Sequence, residues 1–197
     1  MKVIGIKGNY NQEDNNTLPQ VFLMADSSLL KDGKPLFLPD FAENFIARTS
    51  LVVRINRLGK NIAKRFAPRY YDAVTVGLCV EAQGFKQSEK LAGCDSVVNA
   101  FDGSAILGDF IPVEEVGDLN NCTLDVNFND KQHATFNTAN LFMDIDSLIE
   151  ELSKYFTFKI GDILFTGYGV NSGFPLSIND VVSGTINGTE ALHFKVK

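Results

Sequence analysis

The sequence predicts an α+β fold that is predominantly β, and three observations support this class. The first is the longest predicted strand, residues 45–56 (FIARTSLVVRIN), in which apolar and polar residues alternate and β-branched residues are frequent. The dipeptides Asp32-Gly33 and Asn187-Gly188 are strong signals for two-residue turns between strands. One clear helical period occurs, in residues 147–156. We therefore expect mostly sheet and a few short helices.

The remaining elements follow from the same signals in chain order. Asp32-Gly33 predicts a hairpin between the segments 29–30 and 36–38, and Asn129-Asp130 predicts another turn. Residues 81–90 predict a short helix interrupted at Gly84. Ser147 and Glu150 form a capping-box pattern at the start of the helix in 147–156. The predicted strands are 3–6, 19–24, 29–30, 36–38, 45–56, 123–128, 160–165, 180–186 and 191–196.

Composition excludes several classes of partner. The chain has 197 residues, which predicts one domain with its own core. The net charge of −6 and the scattered Lys and Arg residues argue against nucleic acid and against anionic membranes as partners. Three cysteines without Cys-x-x-Cys spacing predict reduced thiols, and no signal peptide or membrane-spanning segment is predicted, so we expect a cytoplasmic protein.

A strand followed by a glycine loop occupies residues 156–173 (FTFKIGDILFTGYGVNSG). No Lys-Ser/Thr follows, as a phosphate-binding P-loop requires, and no helical pattern follows, as a dinucleotide-binding motif requires. The segment FKIGDILFTGYG resembles the strand and Thr-Gly-Thr-Pro loop of the fumarylacetoacetate hydrolase family. LVVRINRLGK and FDGSA resemble further motifs of that family, close to its 2-hydroxyhepta-2,4-diene-1,7-dioate isomerases and fumarylpyruvate hydrolases.

The resemblance implies a fold and a chemistry. The fold is the mixed β-sandwich roll of the family's catalytic domain, here one domain over 1–197, with N-terminal strands and a degenerate lid in 1–44 and the core roll in 45–197. Family members hydrolyse, decarboxylate or isomerise small 2-oxo or enol acids. Three carboxylates hold a Mg²⁺ or Mn²⁺ ion that polarises the substrate's oxygens, and a His and a Glu on the lid activate water.

The sequence departs from the family at the metal-binding positions. The register of LVVRINRLGK puts Arg48 and Ser50 where the two ligand Glu residues stand, and Tyr70–Lys86 puts Cys79 at the ligand Asp. A cation, a hydroxyl and a thiol do not hold a hard divalent ion, so we expect no metal cofactor. The family-equivalent pocket positions are Ile46, Arg48, Ser50, Cys79, Glu81, Gln83, Asn99, Asp102, Thr166, Gly167 and Tyr168.

Three functions remain open at this point. In the first, the metal-dependent reaction is lost and the protein binds a small carboxylate or 2-oxo acid, or acts as a regulatory partner. In the second, the chain is an active isomerase, decarboxylase or C–C bond hydrolase that works without the usual ligands. In the third it is a structural homodimer subunit, with Val21–Leu23 as a possible contact.

Arg48 carries the sharpest of these hypotheses. It places a fixed cation where the metal's charge would be, so it could bind a carboxylate or enolate with help from the backbone N–H groups of 166–169. The alternative is that Arg48 closes the site through a salt bridge with Glu81. Cys79 could be a nucleophile, although an inert buried thiol is the favoured interpretation.

Other titratable residues have a structural interpretation beside a functional one. Glu43 or Glu81 could enter a shifted metal site, but an ion pair or a helix-start carboxylate is favoured for Glu81. Asp146, in the Asp144-x-Asp146 pair, is interpreted as part of a helix start. His133 and His193, the two histidines of the chain, are interpreted as surface or structural residues rather than ligands.

Overall fold

The computed structural model of the chain describes residues 1–10, 19–86, 90–91, 94–129, 131–168 and 173–197; of residues 95, 132 and 133 it describes the backbone alone. Three α-helices are present in these ranges: α1 (Asp95–Asn99), α2 (Val113–Val116) and α3 (Ile145–Tyr155). The strands there are β1 (Val3–Lys7), β2 (Gln20–Met24), β3 (Leu29–Leu30), β4 (Ala42–Ile55), β5 (Tyr71–Phe85), β6 (Ala105–Leu107), β7 (Ile111–Pro112), β8 (Thr123–Phe128), β9 (Lys131–Asn137), β10 (Ile163–Tyr168), β11 (Gly173–Pro175), β12 (Val181–Ile186) and β13 (Thr189–Lys195).

The strands of the described ranges form two sheets. The large sheet has nine strands in the order β2-β1-β10-β4-β5-β6-β3, with β11 pairing with β4 and β7 with β5. It is mixed, because β1–β10 and β3–β6 are parallel and the other pairs are antiparallel. The small sheet has the order β13-β12-β8-β9 and is antiparallel. The predicted class, predominantly β with a few short helices, is confirmed.

The large sheet is covered on both faces, and this explains why β4 is buried without alternation from Ala47 to Val53. One face of β4, including Ala47, Leu51 and Val53, lies in the main core, which also takes in apolar residues of the small sheet and of α3. The other face lies in a smaller cluster, called the second core here. It consists of Val3, Met24, Val52, Cys79, Ala105, Leu107, Ile163, Phe165 and Tyr168.

Several turns adopt the predicted backbone. Asn187 and Gly188 have φ of 48° and 84°, and they connect the antiparallel strands β12 and β13 as expected. Asn129 also has a positive φ of 48°, between β8 and β9; its predicted turn partner at position 130 lies outside the described residues. In the described residues no helix is both long and apolar enough to cross a membrane.

Three local predictions are wrong. Asp32 and Gly33 do adopt positive φ, but β3 pairs in parallel with β6 and Leu36 bridges to Val196, so no hairpin forms there. Residues 81–85 continue strand β5 instead of starting a helix, because they pair with β4 as far as Ala42. Ile160 is 74% exposed, and β10 begins three residues later.

The helix in 147–156 exists, but its cap differs from the prediction. The N-cap is Asp144, whose carboxylate accepts a hydrogen bond from the Ser147 backbone N–H at 2.7 Å. Ser147 is therefore the third helical residue rather than the cap. The cap prediction followed the Ser-x-x-Glu spacing and overlooked the aspartate three residues earlier, which is an equally strong capping residue.

Candidate functional site

The pairing of β4 with β5 brings the predicted site residues together. Arg48 lies opposite Cys79, and Ile46 lies opposite Glu81. Paired residues of neighbouring strands point to the same face, so these side chains share the face of the second core. Ser50 lies on the same face of β4, two residues further along.

An ion-pair cluster occupies this face. The Nε of Arg48 donates a hydrogen bond to Oε2 of Glu81 at 3.1 Å, and Nζ of Lys7 lies 3.9 Å from the same oxygen. The side chains of Arg48 and Glu81 are only 9% and 14% exposed. The salt bridge weighed for Arg48 is thus present, and a third residue takes part in it.

The environment of Arg48 is aromatic as well as charged. Its guanidinium carbon lies 5.5 Å from the centroid of the Tyr168 ring, a cation–π distance. Burial raises the pKa of the Tyr168 hydroxyl, and the nearby Arg48 charge opposes that rise. The hydroxyl therefore keeps its proton at neutral pH. The Nε2 of Gln83, which is itself exposed, lies 3.4 Å from Oε1 of Glu81.

Lys7 was missed by the sequence analysis. Val3, two residues before Gly5 and four before Lys7, lies in the second core, whereas Ile4 and Ile6 lie in the main core. The alternation of β1 therefore directs Lys7 to the face of Arg48. The sequence itself carries no such signal, because residues 3, 4 and 6 are all apolar and show no alternation.

Ser50 and Thr166 connect strands rather than face a ligand. The Ser50 hydroxyl donates to the Leu51 carbonyl at 3.0 Å and accepts from the Gly167 N–H at 3.1 Å. The Thr166 hydroxyl donates to the same Leu51 carbonyl at 3.0 Å. The Gly167 N–H, one of the backbone donors expected to help Arg48, is therefore bonded to Ser50; position 169 lies outside the described residues.

Asn9 fixes the loop next to the site. Its amide group donates to the carbonyls of Met143 and Thr166 at 3.0 and 2.7 Å and accepts from the Met143 N–H at 2.8 Å. Gly167 has a φ of +127°, and a Cβ at this position would lie 2.4 Å from Cβ of Asn9. Only glycine fits this position, because both the backbone conformation and the close approach exclude a side chain.

Cys79 is a protonated thiol in this setting. It is 4% exposed, and burial raises its pKa while the Arg48 charge opposes the rise. Nucleophilic attack requires the thiolate. The inert buried thiol therefore remains the better interpretation.

Asn99 lies next to a residue that packs against the second core, and Asp102 lies on the turn that follows. Asn99 ends α1, which contacts β5 and β2, and Ala100 packs against the second core. The Ser28 hydroxyl holds this segment by donating to the Ala100 carbonyl at 2.8 Å. Asp102 is exposed on the following turn, so it is outside the buried ion-pair cluster.

The remaining titratable residues are placed as structural groups. Glu43 is exposed. Asp146 accepts a hydrogen bond from the Tyr71 hydroxyl at 3.1 Å, and burial raises its pKa. His193 lies on β13 with Nδ1 4.0 Å from Glu190, and the side chain of His133 lies outside the described residues.

A cleft of about 520 Å³ lies away from this cluster, between β13 and the segment after β6. It contains three acidic residues and a histidine, but none of Lys7, Arg48 or Glu81. Within the described ranges, no group of three His, Cys, Asp or Glu residues is close enough to hold a metal ion. The cleft is lined by Asp32, Gly33, Leu107, Gly108, Asp109, Glu190, Ala191, Leu192 and His193.

The three positions equivalent to the family's metal ligands do not by themselves fit a divalent ion. Arg48 is a cation, the Ser50 hydroxyl is bonded to backbone groups on both sides, and Cys79 offers a soft sulfur instead of an oxygen. Mg²⁺ and Mn²⁺ prefer oxygen donors, chiefly anionic ones. A metal held at this face would need oxygens from elsewhere.

Comparison with known proteins identifies the family of the chain. The family model described as fumarylacetoacetate (FAA) hydrolase C-terminal matches residues 3–197, so the resemblance seen in the sequence is confirmed. A mitochondrial oxaloacetate tautomerase of Caenorhabditis elegans is 27% identical over 94% of this chain and 87% of its own. An oxaloacetate tautomerase of Escherichia coli K12 is 28% identical over 95% of this chain and 89% of its own.

A solved structure shows the same fold and corrects one expectation. The crystal structure of fumarylpyruvate hydrolase from Pseudomonas aeruginosa, in complex with Mn²⁺ and pyruvate, has a TM-score of 0.87 at 20% identity and covers 100% of this chain and 89% of its own. A divalent metal thus accompanies this fold, and the prediction that no metal cofactor is expected was wrong. The prediction considered three protein ligands, whereas other residues, water and the substrate's own oxygens also ligate such ions.

Proposed function

Because the chain belongs to the fumarylacetoacetate hydrolase family, we propose that it is an enzyme that interconverts the keto and enol forms of a short 2-oxo acid, with oxaloacetate as the first substrate to test. The two relatives named oxaloacetate tautomerase cover most of both chains, which favours an active enzyme over the loss of activity expected from the ligand positions. The observation that carries the proposal is the Arg48–Glu81–Lys7 cluster.

The cluster contains what a tautomerase needs. Arg48 and Lys7 attract the anionic oxygens of a 2-oxo acid, and a low-exposure site strengthens this attraction. Glu81 is a carboxylate at the same place, so it can carry a proton between two atoms of the substrate. A cation beside the reacting oxygen stabilises the negative charge that an enolate develops.

The proton transfers balance between the substrate and Glu81. Glu81 removes a proton from the carbon next to the keto group; the C–H electron pair forms the C=C bond, and the carbonyl electron pair moves to oxygen. Arg48 and Lys7 stabilise the resulting enolate oxygen. The Glu81 carboxyl group then returns the proton to that oxygen, which gives the enol and restores the carboxylate.

Turnover of oxaloacetate tests this proposal. The enol form is followed by its ultraviolet absorbance, with and without Mn²⁺, for the wild type, Glu81→Gln and Asp72→Asn. We expect Glu81→Gln to lower kcat/KM by about 100-fold or more, since general acid–base groups contribute on that order. Asp72 lies in an exposed ion pair with Arg54, so Asp72→Asn is the control and should keep wild-type activity.

Two results would contradict the proposal. A wild-type protein that does not accelerate the reaction above buffer in either metal condition is not this enzyme. Full activity in Glu81→Gln would remove Glu81 from the mechanism.

A binding protein without turnover is the second candidate, and the cation at Arg48 favours it. Calorimetric titration of the wild type and Arg48→Ala with pyruvate and oxaloacetate tests this. Heat from the wild type that is lost in Arg48→Ala, without turnover, would favour binding alone. No heat from either acid would count against it.

A further inference from the structure

The carboxylate of Glu81 is shared by two cations. Its Oε2 accepts a hydrogen bond from Arg48 at 3.1 Å and lies 3.9 Å from Nζ of Lys7. Both cations thus converge on one oxygen. A carboxylate oxygen of a ligand would seek the same place, because charge-assisted hydrogen bonds from guanidinium and ammonium groups are what anion sites consist of.

We infer that Glu81 occupies the anion site formed by Arg48 and Lys7, and that an anionic ligand binds by displacing the Glu81 carboxylate. Glu81 is then an internal competitor of the ligand, and Lys7 is the second anion-binding residue beside Arg48. The inference rests on the proposed function for the identity of the site, and it does not require that turnover occurs.

The charges make the exchange favourable for a dianion. With Glu81 in place the cluster carries two positive charges and one negative, a net charge of +1. With Glu81 turned away, the two cations present +2 to the ligand. One ligand carboxylate replaces the interactions that Glu81 gives up, and a second carboxylate gains the remaining attraction. A dicarboxylate should therefore compete better than a monocarboxylate.

Burial indicates which partner moves. The Arg48 side chain is 9% exposed and lies against the Tyr168 ring, so it is held in place. Glu81 is more exposed, at 14%, and its other oxygen is 3.4 Å from the exposed Gln83 side chain, which is a weak hydrogen bond. Glu81 can therefore turn away from the two cations towards Gln83 while the guanidinium stays, and its carboxylate then remains at the edge of the same site, beside the bound ligand.

Malonate titration tests the inference directly. Malonate is a dianion without a keto group, so its binding is measured without turnover, by calorimetry in the presence of EDTA. We expect Glu81→Gln to bind malonate at least about tenfold more tightly than the wild type, because a neutral amide competes less for the two cations. Asp72→Asn removes a carboxylate from the exposed Arg54 pair and should leave malonate affinity unchanged. Equal or weaker malonate binding by Glu81→Gln would overturn the inference.

Lys7 provides a second test that leaves the Arg48–Glu81 contact intact. Lys7→Met should weaken malonate binding by about fivefold or more. It should also reduce the ratio of malonate affinity to acetate affinity. The matched control is Lys34→Met, which removes the same charge from an exposed pair, 3.8 Å from Asp32. If Lys7→Met and Lys34→Met bind malonate equally well, Lys7 is not part of the site.

The two proposals fail separately. Tighter malonate binding by Glu81→Gln in a protein that never turns over oxaloacetate supports the inference and refutes the enzyme. Turnover in the wild type, with no gain of malonate affinity in Glu81→Gln, supports the enzyme and refutes the displacement.

Discussion

Arg48 and Arg54 lie on the same face of strand β4, but their ion pairs differ in geometry and in exposure to solvent. Arg54 donates from Nε and Nη2 to both oxygens of Asp72 at 2.9 Å, and these side chains are 42% and 39% exposed. Arg48 contacts Glu81 through Nε at 3.1 Å in a cluster that is largely buried. Each guanidinium also lies near an aromatic ring, Phe110 for Arg54 and Tyr168 for Arg48.

The difference separates a structural pair from the pair to which we assign a function. Arg54 donates to both oxygens of Asp72, and these hydrogen bonds to Asp72 raise the pKa of Arg54. Exposed pairs of this kind contribute little to stability. Around Arg48, one carboxylate serves two cations in a poorly solvated place, so removing either partner leaves a costly charge. We therefore assign the Arg48 cluster a role in binding rather than in stability.

The largest effect should separate the two arginines by stability. We expect Arg48→Met to lower the free energy of unfolding by about 2–4 kcal/mol, because Glu81 loses its main partner in a largely buried position. Arg54→Met should cost about 1 kcal/mol or less. Urea unfolding of the two variants measures both. Equal costs would mean that the two pairs are equivalent, which would break the comparison.

A smaller effect should come from the strand that packs on Arg48. Gly173 of β11 pairs with Arg48, and a Cβ there would lie 2.3 Å from Cγ2 of Ile46 and 3.2 Å from Nη1 of Arg48. Gly173→Ala should cost about 1–3 kcal/mol of stability by overpacking. It should also lower oxaloacetate turnover by about tenfold, because the guanidinium is shifted.

The double variant Gly173→Ala/Ile46→Ala identifies which neighbour matters. Removing the Ile46 side chain relieves the shorter contact, so thermal stability should partly recover. Turnover should stay low if the displacement of Arg48 is the cause. Recovery of turnover together with stability would show that the Arg48 position is not critical.

Strands β1, β4 and β5 also show how much of the fold and of the candidate site could be predicted from the sequence. Residues 45–56 had a clear β-branched pattern, so strand β4 was predicted. Its partner strand β5 was not predicted, and the contact of Arg48 with Glu81 was weighed only because the family resemblance puts both residues in one pocket. Lys7 was not predicted at the site, because a lone lysine at the end of a strand looks like a solvated residue until the neighbouring strand is known. The metal cofactor was mispredicted because the sequence shows only that three expected ligand residues are replaced. It does not show whether other oxygen atoms could hold the ion instead.

The turn at Asp32 and Gly33 shows a second limit of prediction from the sequence, which concerns the pairing of strands. Asp32 and Gly33 adopt positive φ as predicted, but local conformation does not determine which strand pairs with which. The segments on either side find partners far along the chain, at β6 and at Val196. Tertiary pairing overrode a strong hairpin signal here.

Salt should sharpen the comparison further. At about 1 M NaCl the screening length falls to about 3 Å, so an exposed pair loses most of its attraction while a buried pair keeps it. The small cost of Arg54→Met should disappear in high salt, and the cost of Arg48→Met should persist. The measurement is urea unfolding of each variant against the wild type at low and high salt. A cost of Arg48→Met that is abolished by salt would show that solvent reaches the cluster.

The smallest expected effect concerns a third ion pair, Lys64–Asp144 at 2.8 Å, which is exposed like the Arg54 pair but lies at the start of α3. Burial acts to raise the Asp144 pKa, but the hydrogen bonds from Lys64 and Ser147 outweigh it, so the pKa is lowered from 3.8. A lowered carboxyl pKa gives stability that is complete above the unfolded value and lost as pH falls through the folded value. Asp144→Asn keeps a capping side chain but removes the charge, so it should cost about 0.5 kcal/mol between pH 5 and 8. That cost should begin to shrink as pH falls below about 4 and should vanish only below the lowered pKa of folded Asp144, when unfolding is measured across the pH range. A difference that persists at low pH would mean that the cap hydrogen bond, rather than the charge, stabilises the helix start.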